Sequence, residues 1–241
     1  MSLADVYIFD IDGTLTAPRQ PIDEEFSSFF LSFAKKHEVF LATGSDKAKV
    51  LEQLPVEILH ACHGYFTCMG NELWINDEKI YSRKLKIPTN VLEWLKQQIE
   101  DSRYPHKQNF GKTHFEYRSG MLNFSVSGRD ISQEQRKLYY QWDVIEGERK
   151  FLARRFNELF KDYDLEAFVG GQISIDIQKK GKDKGQIYDY LSNYERKIFF
   201  GDKCYPGGND YSLAKKCEVK FAVQNWKDTQ KILEDFILPL S

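Results

Sequence analysis

The chain has 241 residues, with 34 Lys and Arg against 36 Asp and Glu, a net charge of -2 and 41% hydrophobic residues. That length holds one large domain or two small ones with ample core, and the near-neutral balance argues against a nucleic-acid scaffold or an anionic membrane surface as main partner. No apolar run reaches the length of a membrane span, the start lacks the basic stretch and apolar core of a secretory signal, and four scattered cysteines without a Cys-x-x-Cys suit a reducing compartment, so a cytoplasmic location is expected.

Val6-Tyr7-Ile8-Phe9 is a short apolar run of strand formers, and it ends in Asp10-Ile11-Asp12-Gly13-Thr14. Successive strand residues face opposite ways, so Asp10 and Asp12 can look in one direction while Ile11 turns into the core. Residues 23–36 carry Phe26, Phe29, Phe30 and Phe33 at helical spacing and read as an amphipathic helix. A second buried strand, residues 39–42, ends in Thr43-Gly44-Ser45-Asp46 before a helix to about residue 54, whose first turn Ser45 is placed to cap. Strand, turn and helix have then occurred twice, which predicts a doubly wound parallel sheet.

After about residue 81 the pattern changes. A helix over 89–101 is followed by two strand-like runs, 115–118 and 121–126, around Ser119-Gly120, which read as an antiparallel hairpin. Ser132 and Gln135 have capping-box spacing and open a helix through Leu138, and a further helix spans 147–160. Residues 165–169, a Gly170-Gly171 break and Ile173-Ser174-Ile175-Asp176-Ile177 complete this stretch; the alternation buries three isoleucines and exposes Ser174 and Asp176. The parallel pattern resumes with Lys182-Asp183-Lys184-Gly185, a helix over 186–191, a strand over 198–200 ending in Gly201-Asp202, and a last strand over 221–223. The expected fold is therefore an α/β doubly wound core, residues 1–83 and 183–241, carrying an inserted α+β domain with an antiparallel sheet, residues 84–182.

Two carboxylates as close as Asp10 and Asp12 stay ionised together only if a cation shares their site or one holds a proton. Mg²⁺ suits such a pair, and with it one carboxylate can attack phosphorus while its neighbour moves the proton. A calcium loop is excluded, because counting from Asp10 the sixth position is Leu15 rather than Gly and the twelfth is Pro21 rather than Glu. A plain polar turn remains the alternative. Ser45 at a second strand end, then Lys184 and Asp202, follow in chain order. Singly, each has a duller reading: a helix cap, a solvated lysine, a Gly/Pro-rich turn. His60, Cys62, His63 and Cys68 cluster, but their spacing matches no usual zinc module.

Asp10-x-Asp12-Gly13-Thr14 resembles the first signature of the haloacid dehalogenase superfamily. Phe115-Glu-Tyr-Arg-Ser-Gly-Met-Leu-Asn, Ser127-Gly-Arg-Asp-Ile-Ser-Gln-Glu-Gln-Arg, Gly170-Gly-Gln-Ile-Ser-Ile-Asp, Thr16-Ala17-Pro18-Arg19-Gln20 and Pro206-Gly-Gly-Asn-Asp sharpen the resemblance to the eukaryotic-type phosphomannomutases over nearly the whole chain. The resemblance implies a phosphohexomutase interconverting mannose 6-phosphate and mannose 1-phosphate and feeding GDP-mannose synthesis, dependent on Mg²⁺ and primed by a hexose 1,6-bisphosphate, with the insert as its cap and a homodimer through the caps. It assigns Asp10 as nucleophile and Asp12 as acid/base. Mg²⁺ would sit on Asp10, the backbone carbonyl of Asp12 and Asp202, while Ser45 and Lys184 would hold the transferring phosphate. Arg19, Arg118, Arg129, Arg136, Ser174 and Asp176 would contact the sugar or its second phosphate. The basic run after Asn209-Asp210 departs from the family and offers few oxygen ligands for the additional cation bound there.

Three cap arginines suit a mutase, which must grip phosphate in two places because its bisphosphate intermediate turns end for end; the bland alternative is that they form surface ion pairs with the many Asp and Glu residues. A Mg²⁺-dependent sugar-phosphate phosphatase, with water as acceptor, is the competing enzyme, and a catalytically dead binding module is the competing class.

Overall fold

A computed structural model describes residues 5–237. It divides into two compact units: one runs to Ser82 and resumes at Gly181, the other spans Arg83–Lys180. The first unit opens with β1 (Asp5–Phe9), α1 (Glu24–Ala34), β2 (Glu38–Ala42), α2 (Lys47–Gln53), α3 (Val56–Ala61) and β3 (Gly64–Thr67), then adds β4 (Glu72–Ile75) and β5 (Glu78–Ser82). The insert comprises α4 (Thr89–Glu100), β6 (Phe115–Arg118), β7 (Met121–Phe124), α5 (Gln133–Glu146), α6 (Glu148–Leu159), β8 (Leu165–Val169) and β9 (Ile175–Lys179). The chain then returns to the first unit through α7 (Gln186–Tyr190), β10 (Arg196–Gly201), α8 (Tyr211–Lys216), β11 (Val219–Ala222) and α9 (Trp226–Ile232).

The core sheet has the order β11-β10-β1-β2-β3-β4-β5. β1 lies between β2 and β10, parallel to both, so the strand order reverses beside it. In an open α/β sheet the crevice beyond the strand ends at that reversal is the place where ligands bind. Alternation sorts the side chains of β1: Tyr7 and Phe9 pack with Phe26, Phe30 and Phe33 of α1, while Val6 and Ile8 pack on the other face with Phe199, Ile187 and Leu213. Phe9 stacks on Phe200 at 4.6 Å and meets Phe30 edge-on at 5.1 Å, so the strand that carries the first motif is held by aromatic contacts on both neighbours. Asp23 caps α1, its carboxylate accepting from the N–H groups of Glu25 and Phe26.

β4 and β5 extend the sheet in antiparallel fashion, an addition the sequence reading did not contain. Asn76 and Asp77 form their turn with φ of 46° and 67°, the left-handed pair a tight two-residue hairpin requires. The insert is a four-stranded antiparallel sheet, β6-β7-β9-β8. One face buries Leu122, Phe124, Ile175, Ile177, Leu165 and Ala167 with Leu152 and Phe156 of α6. Ser132 makes the expected capping box with Gln135, and α5 continues past Leu138 to Glu146. Among the described residues no helix is long and apolar enough to cross a membrane.

Candidate active site

Asp10 follows β1 directly, and its N–H donates to the Phe200 carbonyl at 2.9 Å, so pairing with β10 continues one residue past the strand and fixes the carboxylate. Asp10 is 2% exposed. Its Oδ1 accepts from Lys184 Nζ at 2.6 Å, and the same ammonium donates to Asp210 Oδ1 at 2.5 Å. Lys184 is fully buried. Burial alone would lower its pKa, but the charges of Asp10 and Asp210 reverse that and hold the ammonium above its ordinary value. Burial pushes the Asp10 carboxyl up, Lys184 pulls it back, and Asp210 adds to the rise.

Asp202 emerges from the end of β10. Its Oδ2 pairs with Lys203 Nζ at 2.9 Å, and its Oδ1 is buried without a hydrogen-bond partner. Gly13, at φ +84°, passes so close that a Cβ there would lie 2.5 Å from Asp202 Oδ2. No other residue fits that turn. Burial raises the pKa of Asp202 too, Lys203 counteracts it, and Asp210 adds to it. Asp10, Asp202 and Asp210 each offer an oxygen, all within 4.8 Å of one another. Two buried carboxylates and a half-buried one with an orphaned oxygen are a donor set for a hard divalent cation, so these residues fit the metal that the sequence calls for.

Asp12 turns its carboxylate elsewhere. Oδ1 accepts from the Arg19 backbone N–H at 2.7 Å and from Gln53 Nε2 at 2.9 Å, and Oδ2 faces Ser45 Oγ at 3.5 Å. Arg19 thus meets Asp12 through its backbone, at φ 60°, and its exposed side chain takes no part in that contact. Ser45 does not cap α2: Asp46 does, accepting from the Lys49 N–H at 3.0 Å, which leaves the Ser45 hydroxyl to Asp12. His60 pairs with Asp77 at 2.7 Å and His63 with Glu38 at 2.9 Å, while Cys62 and Cys68 are buried. Among the described residues the metal-type cluster is the carboxylate one.

The sequence reading missed Asp210, which anchors Lys184 with one oxygen and accepts the Lys203 N–H at 3.0 Å with the other. Its signal was the second acid closing Gly207-Gly208-Asn209-Asp210.

In the cap, antiparallel register sets Glu116 opposite Asn123 and Asn123 opposite Asp176, a polar row on the sheet face away from the apolar core. Arg118 Nε donates to Glu116 at 2.8 Å, and Arg129 bonds both Glu116 and Asn123. Asn123 in turn donates to Asp176, and Arg136 donates to the Arg129 carbonyl. Three arginines and one carboxamide are therefore tied into one network. Burial lowers the Arg129 pKa, Glu116 opposes that, and the charges of Arg118 and Arg136 add to the lowering. Gly170 makes room for Asp176, since a Cβ there would lie 2.5 Å from its Oδ2.

Ser174 is 5% exposed, contrary to the alternation argument. β9 starts only at Ile175, and the turn before it is pinned by buried Arg149, which donates to the Gly170 and Gly171 carbonyls at 2.8 Å while paired with Asp143 at 2.8 Å. Glu116, Asn123 and Arg149 were not identified from sequence, because cross-strand register and a remote helix bring them in.

A family model described as eukaryotic phosphomannomutase matches residues 26–239. The matched span begins after Asp10 and Asp12. A phosphomannomutase of Dendrobium officinale is 35% identical over 214 residues, covering 86% of this chain and 84% of its own. One of Spinacia oleracea is 31% identical over 240 residues, covering 97% and 96%, so this likeness reaches across both units. In fold, the chain resembles a haloacid dehalogenase-like hydrolase from Bacteroides thetaiotaomicron (TM-score 0.62, 15% identity, 96% of this chain and 98% of that one). It also resembles an IMP-nucleotidase of Plasmodium falciparum (TM-score 0.59, 17% identity, 99% and 67%).

Proposed function

We propose, from the premise that this chain belongs to the eukaryotic phosphomannomutase family, that it is a phosphohexomutase converting mannose 6-phosphate and mannose 1-phosphate into each other through a hexose 1,6-bisphosphate. Asp10 is the nucleophile in this reading. Its carboxylate oxygen attacks phosphorus of the bisphosphate, the bond from phosphorus to the sugar oxygen breaks, and Asp12 gives that oxygen its proton. In the return step Asp12 takes a proton from the sugar hydroxyl, and that oxygen attacks the phosphoaspartate. The Arg19 N–H and Gln53 hold Asp12 by Oδ1, which leaves Oδ2, beside the Ser45 hydroxyl, to carry and accept the proton. Lys184 and Ser45 supply positive charge and a hydroxyl donor to the transferring phosphate. When Mg²⁺ is bound, Asp10, Asp202 and the Asp12 backbone carbonyl would hold it, and it would draw negative charge from the phosphoryl oxygens.

The observation that carries the mutase over a phosphatase is the cap network of Arg118, Arg129 and Arg136 with Glu116, Asn123 and Asp176; Ser174, buried in the turn before β9, is kept as a sugar contact on the resemblance alone. A phosphatase needs one phosphate grip, and the core already provides it. Guanidinium groups bind phosphate with parallel hydrogen bonds, so this face suits the phosphate that is not reacting. The test is to incubate the protein and Mg²⁺ with mannose 1-phosphate, with and without glucose 1,6-bisphosphate. Bisphosphate-dependent accumulation of mannose 6-phosphate is expected; free phosphate in its place would make the protein a phosphatase. A cytoplasmic enzyme that dimerises through its cap belongs to the same proposal and rests on the family alone, and light scattering of the purified protein tests the dimer.

A further inference from the structure

Cys68, Met69 and Gly70, between β3 and β4, have φ of 50°, 62° and 83°. Three consecutive left-handed residues, two of them with side chains, persist only where the surroundings over-determine them, and such strain collects at functional sites. Every carbonyl of the three is taken. Asn71 Nδ2 donates to Cys68 O at 2.8 Å, Gln186 Nε2 to Met69 O at 2.9 Å and Tyr81 OH to Gly70 O at 2.9 Å. Gly70 is required, because a Cβ would lie 2.8 Å from Ile187 Cγ1 and 3.2 Å from Gln186 Cγ.

The N–H groups point the other way. That of Cys68 donates to Ser45 O at 2.9 Å and that of Met69 to Thr43 O at 3.0 Å, so the strained segment grips the backbone of the Ser45 turn on both sides. Met69 Sδ also lies against Gly44, 3.2 Å from where its Cβ would be. Gln186 sits two residues after Lys184, is 7% exposed, and donates to the Lys182 carbonyl at 3.1 Å as well as to Met69. A continuous set of hydrogen bonds therefore runs from the Ser45 turn through Cys68–Gly70 and Gln186 to the Lys184 loop.

We propose that Cys68–Gly70, with Gln186 as its link, is a positioning strap that fixes Ser45 and Lys184 relative to each other so that both meet the phosphoryl group in its transition state. The proposal rests on the reading of Ser45 and Lys184 as phosphate ligands. Straining the backbone in advance removes the freedom with which the two groups would otherwise drift, and small misplacements are costly in transfer rate. None of the three strap residues, nor Gln186, needs to touch substrate.

The test uses vanadate, which adopts the five-coordinate shape of the transition state, and inorganic phosphate, which does not, as inhibitors of acetyl phosphate hydrolysis by the full chain. Gln186→Leu removes the donor to Met69 and keeps the bulk. Met69→Gly keeps every backbone bond and releases the angle. Each is expected to weaken vanadate by about tenfold and phosphate by less than about twofold, with Met69→Gly melting no lower than wild type. A merely structural role would move both inhibitors together or follow the melting temperature, and that result, or an unchanged ratio in both variants, overturns the strap. If wild type itself does not favour vanadate over phosphate, the reading of Ser45 and Lys184 falls and takes the strap with it.

Discussion

The charges of the core and those of the cap are handled in opposite ways. In the core, Lys184 is packed between Asp10 and Asp210, and none of the three side chains is more than 3% exposed. In the cap, Arg118 and Arg129 pair with Glu116 near Asp176, and their side chains are each 20% exposed. A site that performs covalent chemistry gains from desolvated, immobile charge, because electrostatic effects strengthen in low dielectric. A site that recognises and releases the same anion in two orientations gains from charge that stays partly hydrated. The contrast supports the proposed division, with chemistry in the core and recognition in the cap.

The sharpest way to break that division is at Asp10. Asp10→Asn is expected to abolish all phosphoryl transfer, with mannose phosphates and with acetyl phosphate, because the amide is a poor nucleophile and a weaker ligand for Mg²⁺. Near-normal turnover of either substrate would remove Asp10 from the mechanism. Asp12→Asn should lower mutase turnover by about 10² to 10⁴ while Mg²⁺ binding stays measurable by calorimetry. Complete loss of Mg²⁺ binding would show that its carboxylate serves the cation.

Arg118→Ala addresses the cap side. Sugar-phosphate turnover should fall by about 10² through lost alignment, while acetyl phosphate hydrolysis stays near wild type, and Arg118→Lys should recover only part because a point charge cannot make two parallel hydrogen bonds. Equal losses on both substrates would place Arg118 in the support of the fold. Arg149→Leu should destabilise the protein by about 3 to 5 kcal/mol, since Asp143 is left buried and unpaired, which a denaturant titration reads directly.

The smallest effect concerns pH. Burial raises the Asp176 carboxyl, with Glu116 adding to it and Asn123, Arg118 and Arg129 opposing. A carboxyl whose folded pKa lies above its unfolded one stabilises the fold fully below the unfolded value and loses that contribution as pH rises through the folded value. Asp176→Asn should therefore flatten the decline in stability between the ordinary carboxylate range and the raised value. An unchanged pH profile would mean that the cap tolerates the ionised group without cost.

What the sequence disclosed was local. Residues 6–9 gave a buried strand because β-branched and aromatic residues run unbroken into Asp10, and the phenylalanine stripe of α1 and the Ser132 capping box are i, i+3 and i+4 relations that a reader can count. Asn76-Asp77, a usable hairpin signal, went unread because the flanking strands are short and charged, with Glu72 turned inward onto Thr67. Asp210 and Asn123 depend on contacts across the sheet or between distant loops, which no spacing encodes. Ser174 was misplaced because the alternation rule holds only inside a strand, and a buried arginine from α6 closes the turn before it.

The central pairing of β1 with β10 joins Asp5 to Arg196, 191 positions apart. Closing so large a loop is slow, and the ribosome delivers β10 only after the whole cap has been made. Until then the side of β1 that pairs with β10 is an unpaired hydrogen-bonding edge. Asp10 meets Asp202 and Asp210 only once β10 has paired with β1, so a chain truncated before β10 would lack two of the three clustered carboxylates, and in the proposed reading the appearance of Mg²⁺ binding during refolding would report that this pairing has formed.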